Sequence, residues 1–283
     1  MDINLTQPEE ERLASMMAKI CQEIKQNGGY MPFSRYMNMA LYDPKLGYYS
    51  AELEKFGLAG DFITAPEISP FFGQTIVNTV LPILEKFKQQ GLPTRILEFG
   101  AGTGSLAKSI LIELHRRGFD LDEYQMIELS PDLTKRQQSL LQDVCHQNKI
   151  HTQCNWLSSF PDHIEGVILA NEVLDAIPCE RICLHNDTWH HLGIAVTPHA
   201  SPFLLKDSVG PALSTTELND LSPVLRNTQA FSDGYTTEFH PQVQAWLRAL
   251  TDRLECGILL IIDYGFPEQE YYHPQRQDGT LMA

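Results

Sequence analysis

The residues whose types and spacing point most directly to chemistry form one short segment, residues 98–104, with the sequence EFGAGTG. It lies between a predicted strand, Arg95–Phe99, and a predicted helix over residues 105–117. Glycines at such a junction let the chain turn tightly and bring its backbone against a bound ligand. A dinucleotide fingerprint would read GxGxxG or GxGxxA, whereas Ser105 holds the sixth position here and Gly104 completes a GxGxG pattern. The segment therefore predicts a nucleoside-binding loop and disfavours an NAD enzyme.

Two carboxylates near this loop narrow the choice of ligand. Glu98 suits the ammonium of a methionine moiety better than a pyrophosphate, because a carboxylate beside a phosphate is repulsive. Glu128 ends the second predicted strand, where an acceptor can take both hydroxyls of a ribose. Acids at that place also occur in NAD enzymes, and a surface glutamate at a strand end is the alternative interpretation. The predicted cofactor is S-adenosyl-L-methionine, with predicted contacts to Glu98, Gly100, Ala101, Gly102, Gly104 and Glu128.

A second polar segment, residues 170–178 (ANEVLDAIP), follows the third apolar parallel strand. Ligands of open α/β sheets bind at the carboxyl ends of the strands. Glu172 and Asp175 are three residues apart, so in a helix both carboxylates would face one side. Two carboxylates can hold a guanidinium bidentately and favour the resonance form with one nucleophilic nitrogen. We predict that Glu172, Asn171 and Asp175 are catalytic groups that position the acceptor; helix capping by Asn171 or Asp175 is the alternative.

Strands and helices alternate from Arg95 onward, a rhythm typical of a parallel sheet covered on both faces. The predicted strands are Arg95–Phe99, 124–129, 166–170 and 257–262, and the predicted helices are 105–117, 131–147 and 241–254. Residues 180–184 and 189–196 predict an inserted hairpin, and residues 200–240 an irregular polar insertion. The predicted fold class is α/β, a Rossmann-like methyltransferase sheet spanning residues 95–283 with an insertion at about 180–240.

Residues 1–94 precede the first core strand and predict an N-terminal helical cap with a loop that covers the cofactor. A capping box at residues 6–9 (TQPE) begins an amphipathic helix that ends at residues 27–29 (NGG). A short helix is predicted over residues 32–41, and a long one extends to about Gln90, with Pro82 inside it.

Composition excludes several classes of partner. Acidic residues outnumber basic ones 36 to 21, and the net charge of −15 disfavours nucleic acid and mildly favours a cationic partner, although solubility explains it equally well. The six cysteines form no CxxC pair, and no histidine spacing makes a metal site, so we predict no metal. The acidic N-terminus resembles neither a signal nor a transit peptide, and the longest apolar run, residues 258–262, is too short for a bilayer. We expect a soluble, cytoplasmic protein of bacterial type.

With these residues in view, the chain resembles the MidA-like family of methyltransferases, whose members include a mitochondrial protein-arginine methyltransferase that assists respiratory complex I assembly. The resemblance is carried by residues 32–37 (PFSRYM), 40–44 (ALYDP), 47–49 (GYY), 60–69 (GDFITAPEIS), 98–104, 170–172 with 175–178, and 263–265 (DYG).

The resemblance implies formation of symmetric dimethylarginine on a partner protein, such as a complex I subunit or its equivalent. It also implies that residues 60–69 close over the cofactor and the protein substrate. On that basis Thr64 and Pro66 are predicted to contact the cofactor, and Asp61 and Glu67 the substrate.

Two other classes of function stay open from the sequence. Family members look as though they continue past residues 279–282 (GTLM), so we expect the last strands of the sheet to be missing. A noncatalytic assembly factor that keeps the fold is therefore one alternative. A methyltransferase of a small-molecule acceptor is the other, because cofactor motifs say nothing about the acceptor.

Overall fold

The computed structural model describes residues 6–49, 64–197 and 204–281. Helices and strands alternate over most of this length, with single 3-10 turns at Pro223–Arg226 and Thr228–Ala230. The helices are α1 (Gln7–Gln26), α2 (Phe33–Tyr42), α3 (Ala65–Ile68), α4 (Phe71–Gln89), α5 (Ser105–Arg116), α6 (Pro131–Asn148), α7 (Thr215–Asp220), α8 (Pro241–Thr251) and α9 (Glu268–Tyr271). The strands are β1 (Arg95–Phe99), β2 (Glu123–Ile127), β3 (Gln153–Leu157), β4 (Ile164–Asn171), β5 (Glu180–His185), β6 (Thr188–Val196), β7 (Leu205–Ala212), β8 (Thr236–Phe239) and β9 (Leu254–Ile262).

The chain divides into two compact units, each built from segments that are distant in sequence. One comprises residues 52–175 and 246–263, and the other comprises residues 1–51, 176–245 and 264–283. The predicted division at residue 94 does not coincide with these units. Helix α4 lies in the same unit as the parallel sheet because it buries Ile76, Val80 and Leu84 in that unit's core. Helix α1 belongs to the other unit, where Ile20 and Ile24 share a core with Ile194 of β6.

The unit of residues 52–175 and 246–263 is a five-stranded parallel sheet in the order β3-β2-β1-β4-β9. Side chains alternate across the sheet, so Val167 and Leu169 join one core while Ile168 and Ala170 join another. Helices α4, α5 and α6 cover the first face, and Trp246 and Leu250 from the end of α8 pack on the second. The predicted α/β class, with a parallel sheet covered on both faces, is confirmed.

The other unit contains a four-stranded antiparallel sheet in the order β7-β6-β5-β8. The predicted hairpin is confirmed: β5 and β6 pair antiparallel around Asn186 and Asp187, which adopt φ of 50° and 59°. The prediction that residues 200–240 are irregular is wrong for the described part, because β7 and β8 flank this hairpin. Neither strand shows the expected alternation: all four residues of β8 are buried, and every residue of β7 is half-exposed or exposed.

No helix within residues 6–49, 64–197 and 204–281 is long and apolar enough to cross a membrane.

Candidate functional site

The sequence-predicted site residues lie along the carboxyl edge of the parallel sheet. The chain runs from β1 to its neighbour β2 on one side, while β4 pairs with β1 on the other, so the strand order reverses between β1 and β4. Open α/β sheets bind ligands at such a switch point. Phe99 is in register with Ile127 and with Ala170, and Asn171 with Ile262. The segments that follow these four strands therefore share one edge.

The glycine loop after β1 adopts a backbone that only glycine accepts readily. Gly100, Gly102 and Gly104 have φ of 61°, 54° and 86°, all in the left-handed region. A Cβ on Gly102 would meet no atom within 4 Å, whereas one on Gly100 would lie 3.4 Å from Val173. The Gly100 amide is anchored by donating to the Ile127 carbonyl at 3.0 Å. Gly102 thus faces open space at the start of α5, where a ligand can approach the backbone.

Glu98 lies on β1, directly before this loop. Its side chain is buried, and its carboxylate accepts a hydrogen bond from the Tyr124 hydroxyl at 2.6 Å. Burial raises the pKa of Glu98 to about 7, and the charge of Glu128 adds to this, while the Tyr124 bond opposes it. Its predicted contact with a methionine ammonium stays a prediction.

Glu128 follows β2 with both carboxylate oxygens already oriented. One oxygen accepts from the Ser130 amide at 2.9 Å and the other from the Gln137 side chain at 3.1 Å. Each carboxylate oxygen has two acceptor sites, so one carboxylate can bond to protein donors and to a ligand's hydroxyl groups at the same time. A half-buried carboxylate next to an open glycine backbone fits the ribose and methionine ends of S-adenosyl-L-methionine.

Helix α3 brings Glu67 to the glycine loop, where its carboxylate accepts a hydrogen bond from the Thr103 hydroxyl. Thr64 precedes α3, and its carbonyl accepts from the Glu67 amide at 2.9 Å. Pro66 lies in the first turn of the helix. Thr64, Pro66 and Glu67 are thus near the loop, and their roles stay predictions. Asp61 lies outside the described residues.

The acceptor residues follow β4. Asn171 is the last residue of the strand, and Glu172 has a left-handed φ of 51°, with its amide donating to the Ile262 carbonyl at 2.8 Å. The segment after β4 is not helical, so the condition under which Glu172 and Asp175 would share a helix face is not met. The amides of Leu174 and Asp175 donate to the Asp263 carboxylate at 2.8 and 3.4 Å, and the segment turns instead.

These acidic side chains nevertheless influence one another. The pKa of Glu172 is raised by burial first, then by the negative charges of Asp175 and Asp263, while a bond from Asn171 lowers it. We name Glu172, Asp175 and Asp263 the acidic group. A cation placed among them would relieve their repulsion. Within residues 6–49, 64–197 and 204–281, no three His, Cys, Asp or Glu side chains are arranged to hold a metal ion.

Sequence reasoning missed two residues of this edge, although each carries a signal. Asp263 directly follows the last parallel strand, the position that drew attention to Glu128 after β2. Gln137 is the polar member of the buried stripe of α6, which otherwise consists of Leu133, Leu141 and Val144. A polar residue on an apolar stripe is informative because an amide is costly to bury without partners.

Comparison with known proteins extends these observations. Residues 75–283 match the family described as "Putative S-adenosyl-L-methionine-dependent methyltransferase". A solved structure from Burkholderia thailandensis, bound to S-adenosyl-homocysteine, is 35% identical, with a TM-score of 0.86 over 98% of this chain and 69% of that one.

Two relatives are named as arginine methyltransferases. The Drosophila melanogaster "Protein arginine methyltransferase NDUFAF7 homolog, mitochondrial" is 29% identical over 84% of this chain and 57% of its own length. The Homo sapiens "Protein arginine methyltransferase NDUFAF7, mitochondrial" is 24% identical over 92% of this chain and 61% of its own. The chain thus spans less than two thirds of the length of either relative.

Proposed function

The chain belongs to the MidA-like family of S-adenosyl-L-methionine-dependent methyltransferases, and from that premise we propose that it methylates an arginine side chain of a partner protein. The names of the curated relatives support an arginine acceptor. The family resemblance supports symmetric dimethylarginine as the product and a respiratory complex I subunit, or its equivalent, as the partner.

The observation that carries this proposal is the acidic group beside the glycine loop. The raised pKa of Glu172 means that burial and its acidic neighbours disfavour the ionised carboxylate. A guanidinium is a permanent cation whose planar fork matches a carboxylate. Its arrival would stabilise the ionised form of Glu172, so the site favours this acceptor over a neutral one.

Different residues at this edge of the sheet would position the cofactor and the acceptor. Glu98, Glu128 and the backbone of residues 100–104 would hold the cofactor, which supplies an electrophilic methyl group when bound. Glu172 and Asp175 would orient the guanidinium so that a nitrogen lone pair faces that methyl group. The methylated nitrogen must release one proton, and an ionised carboxylate that bonds the guanidinium could accept it.

A labelling experiment tests this function. The chain is incubated with S-adenosyl-L-methionine carrying a deuterated methyl group and with dialysed, heat-treated cell-extract proteins. Acid hydrolysis and mass spectrometry then separate labelled monomethylarginine, symmetric and asymmetric dimethylarginine, and methyllysine. We expect label on arginine in the protein fraction, and its absence when Glu172→Gln replaces the wild type.

Other distributions of the label would contradict the proposal. Label confined to the small-molecule filtrate would indicate a small-molecule acceptor. Protein label found on lysine and not on arginine would refute arginine as the acceptor. Since the chain spans less than two thirds of these relatives' length, the same measurement is made with a full-length relative carrying the matching substitution. A relative that labels arginine while this chain labels nothing would limit the activity to the longer protein.

A further inference from the structure

Gln137 connects the two halves of the cofactor site, and we infer that it is a positioning residue that sets the preference for a ribose with both hydroxyl groups. Its Nε2 donates to the Gly102 carbonyl at 2.8 Å and to the Glu128 carboxylate at 3.1 Å. The residue is fully buried on α6. One side chain thus bonds both the loop after β1 and the acid after β2.

Trp156 on β3 fixes the direction of this amide. Its indole nitrogen, which can only donate, lies 2.8 Å from the Gln137 Oε1. The amide oxygen must face the indole, so both N–H groups point at the two acceptors of the cofactor site. With Trp156 in place, an end-for-end flip of the amide would set donor against donor and acceptor against acceptor.

The consequence concerns the orientation of Glu128. One of its oxygens accepts from the Ser130 amide and the other from Gln137, so the plane of the carboxylate is fixed at two points. A pair of ribose hydroxyls needs both oxygens in a defined orientation, whereas a ligand without those hydroxyls does not. Gln137 therefore acts on the hydroxyl contacts through Glu128. This inference rests on the proposed assignment of Glu128 to the ribose.

Gln137 is a polar residue among apolar ones on the buried side of α6. The neighbours of Gln137 on the stripe, Leu133, Leu141 and Val144, are apolar. An amide in such a place costs free energy unless every polar atom is bonded. Here both ends of the amide are bonded, and two of its three partners, Gly102 and Glu128, belong to the candidate cofactor site.

The test measures binding of two probes, S-adenosyl-homocysteine and its 2′,3′-dideoxy analogue, by calorimetry. The proteins are the full chain and its variants Gln137→Leu, Trp156→Phe and Thr94→Val. Thr94 is a matched control because it is buried and bonded to Asp122, but at the opposite, amino end of β1.

We expect the wild type to prefer the natural ligand and Gln137→Leu to reduce that preference by about tenfold, a coupling typical of residues in one hydrogen-bond network. Trp156→Phe should shift the preference in the same direction but less. Thr94→Val should lower the melting temperature and leave the preference unchanged. If Gln137 had only a structural role, Gln137→Leu would behave in the same way.

The outcomes separate this inference from the assignment on which it rests. A wild type that binds both probes equally would refute the ribose role of Glu128. A wild-type preference that survives intact in Gln137→Leu would overturn the role of Gln137 alone. If Gln137→Leu does not fold, Trp156→Phe decides, because unchanged preference in that variant contradicts the inference.

Discussion

Replacing Gly102 by valine separates backbone strain from loss of the cofactor site. Gly102 has a φ of 54°, and a Cβ there would meet no atom within 4 Å. The substitution therefore creates no clash within the protein, and its cost to folding is that of a left-handed L-residue, about 2 kcal/mol. In a protein of this size that corresponds to a fall in melting temperature of about 3–4 °C.

Gly118 provides the matched control. It follows α5 with a φ of 76°, and a Cβ on it would also meet nothing within 4 Å. Gly118→Val should therefore lower the melting temperature about as much as Gly102→Val. Of these two glycines, Gly102 alone lies in the loop at the carboxyl edge. Its substitution therefore places a side chain in the space assigned to the ligand, and that of Gly118 does not.

Calorimetric titration with S-adenosyl-homocysteine measures the difference. We expect Gly118→Val to bind like the wild type and Gly102→Val to bind at least about a hundredfold more weakly, equivalent to about 2.8 kcal/mol. Circular dichroism and thermal unfolding establish that both variants are folded. An unchanged affinity in a folded Gly102→Val variant would refute the assignment of this loop to the cofactor.

Three further predictions concern the carboxylates. Glu172→Gln should keep S-adenosyl-homocysteine affinity and reduce methyl transfer by about two or more powers of ten, because it keeps size and removes charge; full activity in an otherwise active parent would remove Glu172 from the mechanism. Asp263→Ala should lower kcat by about tenfold with little change in cofactor affinity, because the Leu174 amide loses its acceptor; an equal loss of cofactor affinity would contradict this. The pKa of Glu98 is raised from 4.5 to about 7 in the folded protein, so as pH rises Glu98 loses its proton in the unfolded chain first. The free energy of unfolding should therefore fall by up to about 3 kcal/mol between pH 4.5 and a pH above 7. Urea unfolding across that range should show the fall in the wild type and a flatter profile in Glu98→Gln.

The parallel sheet could be predicted because its strands carry a local signal. Strands β1 and β4 are mostly buried, and each lies directly before a segment of glycine or polar residues. Strand β3 was missed because it lies at one edge of the sheet and its five residues are half-exposed or exposed. Strands β7 and β8 were missed for a related reason, since their pairing with the hairpin β5-β6 is set by tertiary contacts.

The site residues that could be predicted are those whose residue type and position after a predicted strand indicate a function. The glycine spacing predicted a loop whose three glycines do adopt positive φ. The family and its cofactor, S-adenosyl-L-methionine, are confirmed by the comparisons. The conformation after β4 could not be predicted, because it depends on Asp263, which is distant in sequence. The Asp263 carboxylate accepts hydrogen bonds from the amides of Leu174 and Asp175.

The carboxylates at this edge of the sheet repel one another, and hydrogen bonds from neutral side chains offset that repulsion only in part. Glu98, Glu128 and Glu172 lie on neighbouring segments in a chain whose net charge is −15, and the charge of Glu128 raises the pKa of Glu98. Hydrogen bonds from Tyr124 and Gln137 hold two of these groups in place without supplying a positive charge. A sulfonium with its ammonium, and a guanidinium beside it, would supply that charge at the positions where the acids converge. The arrangement therefore favours cationic ligands over neutral ones, because a bound cation would offset the mutual repulsion of these acids.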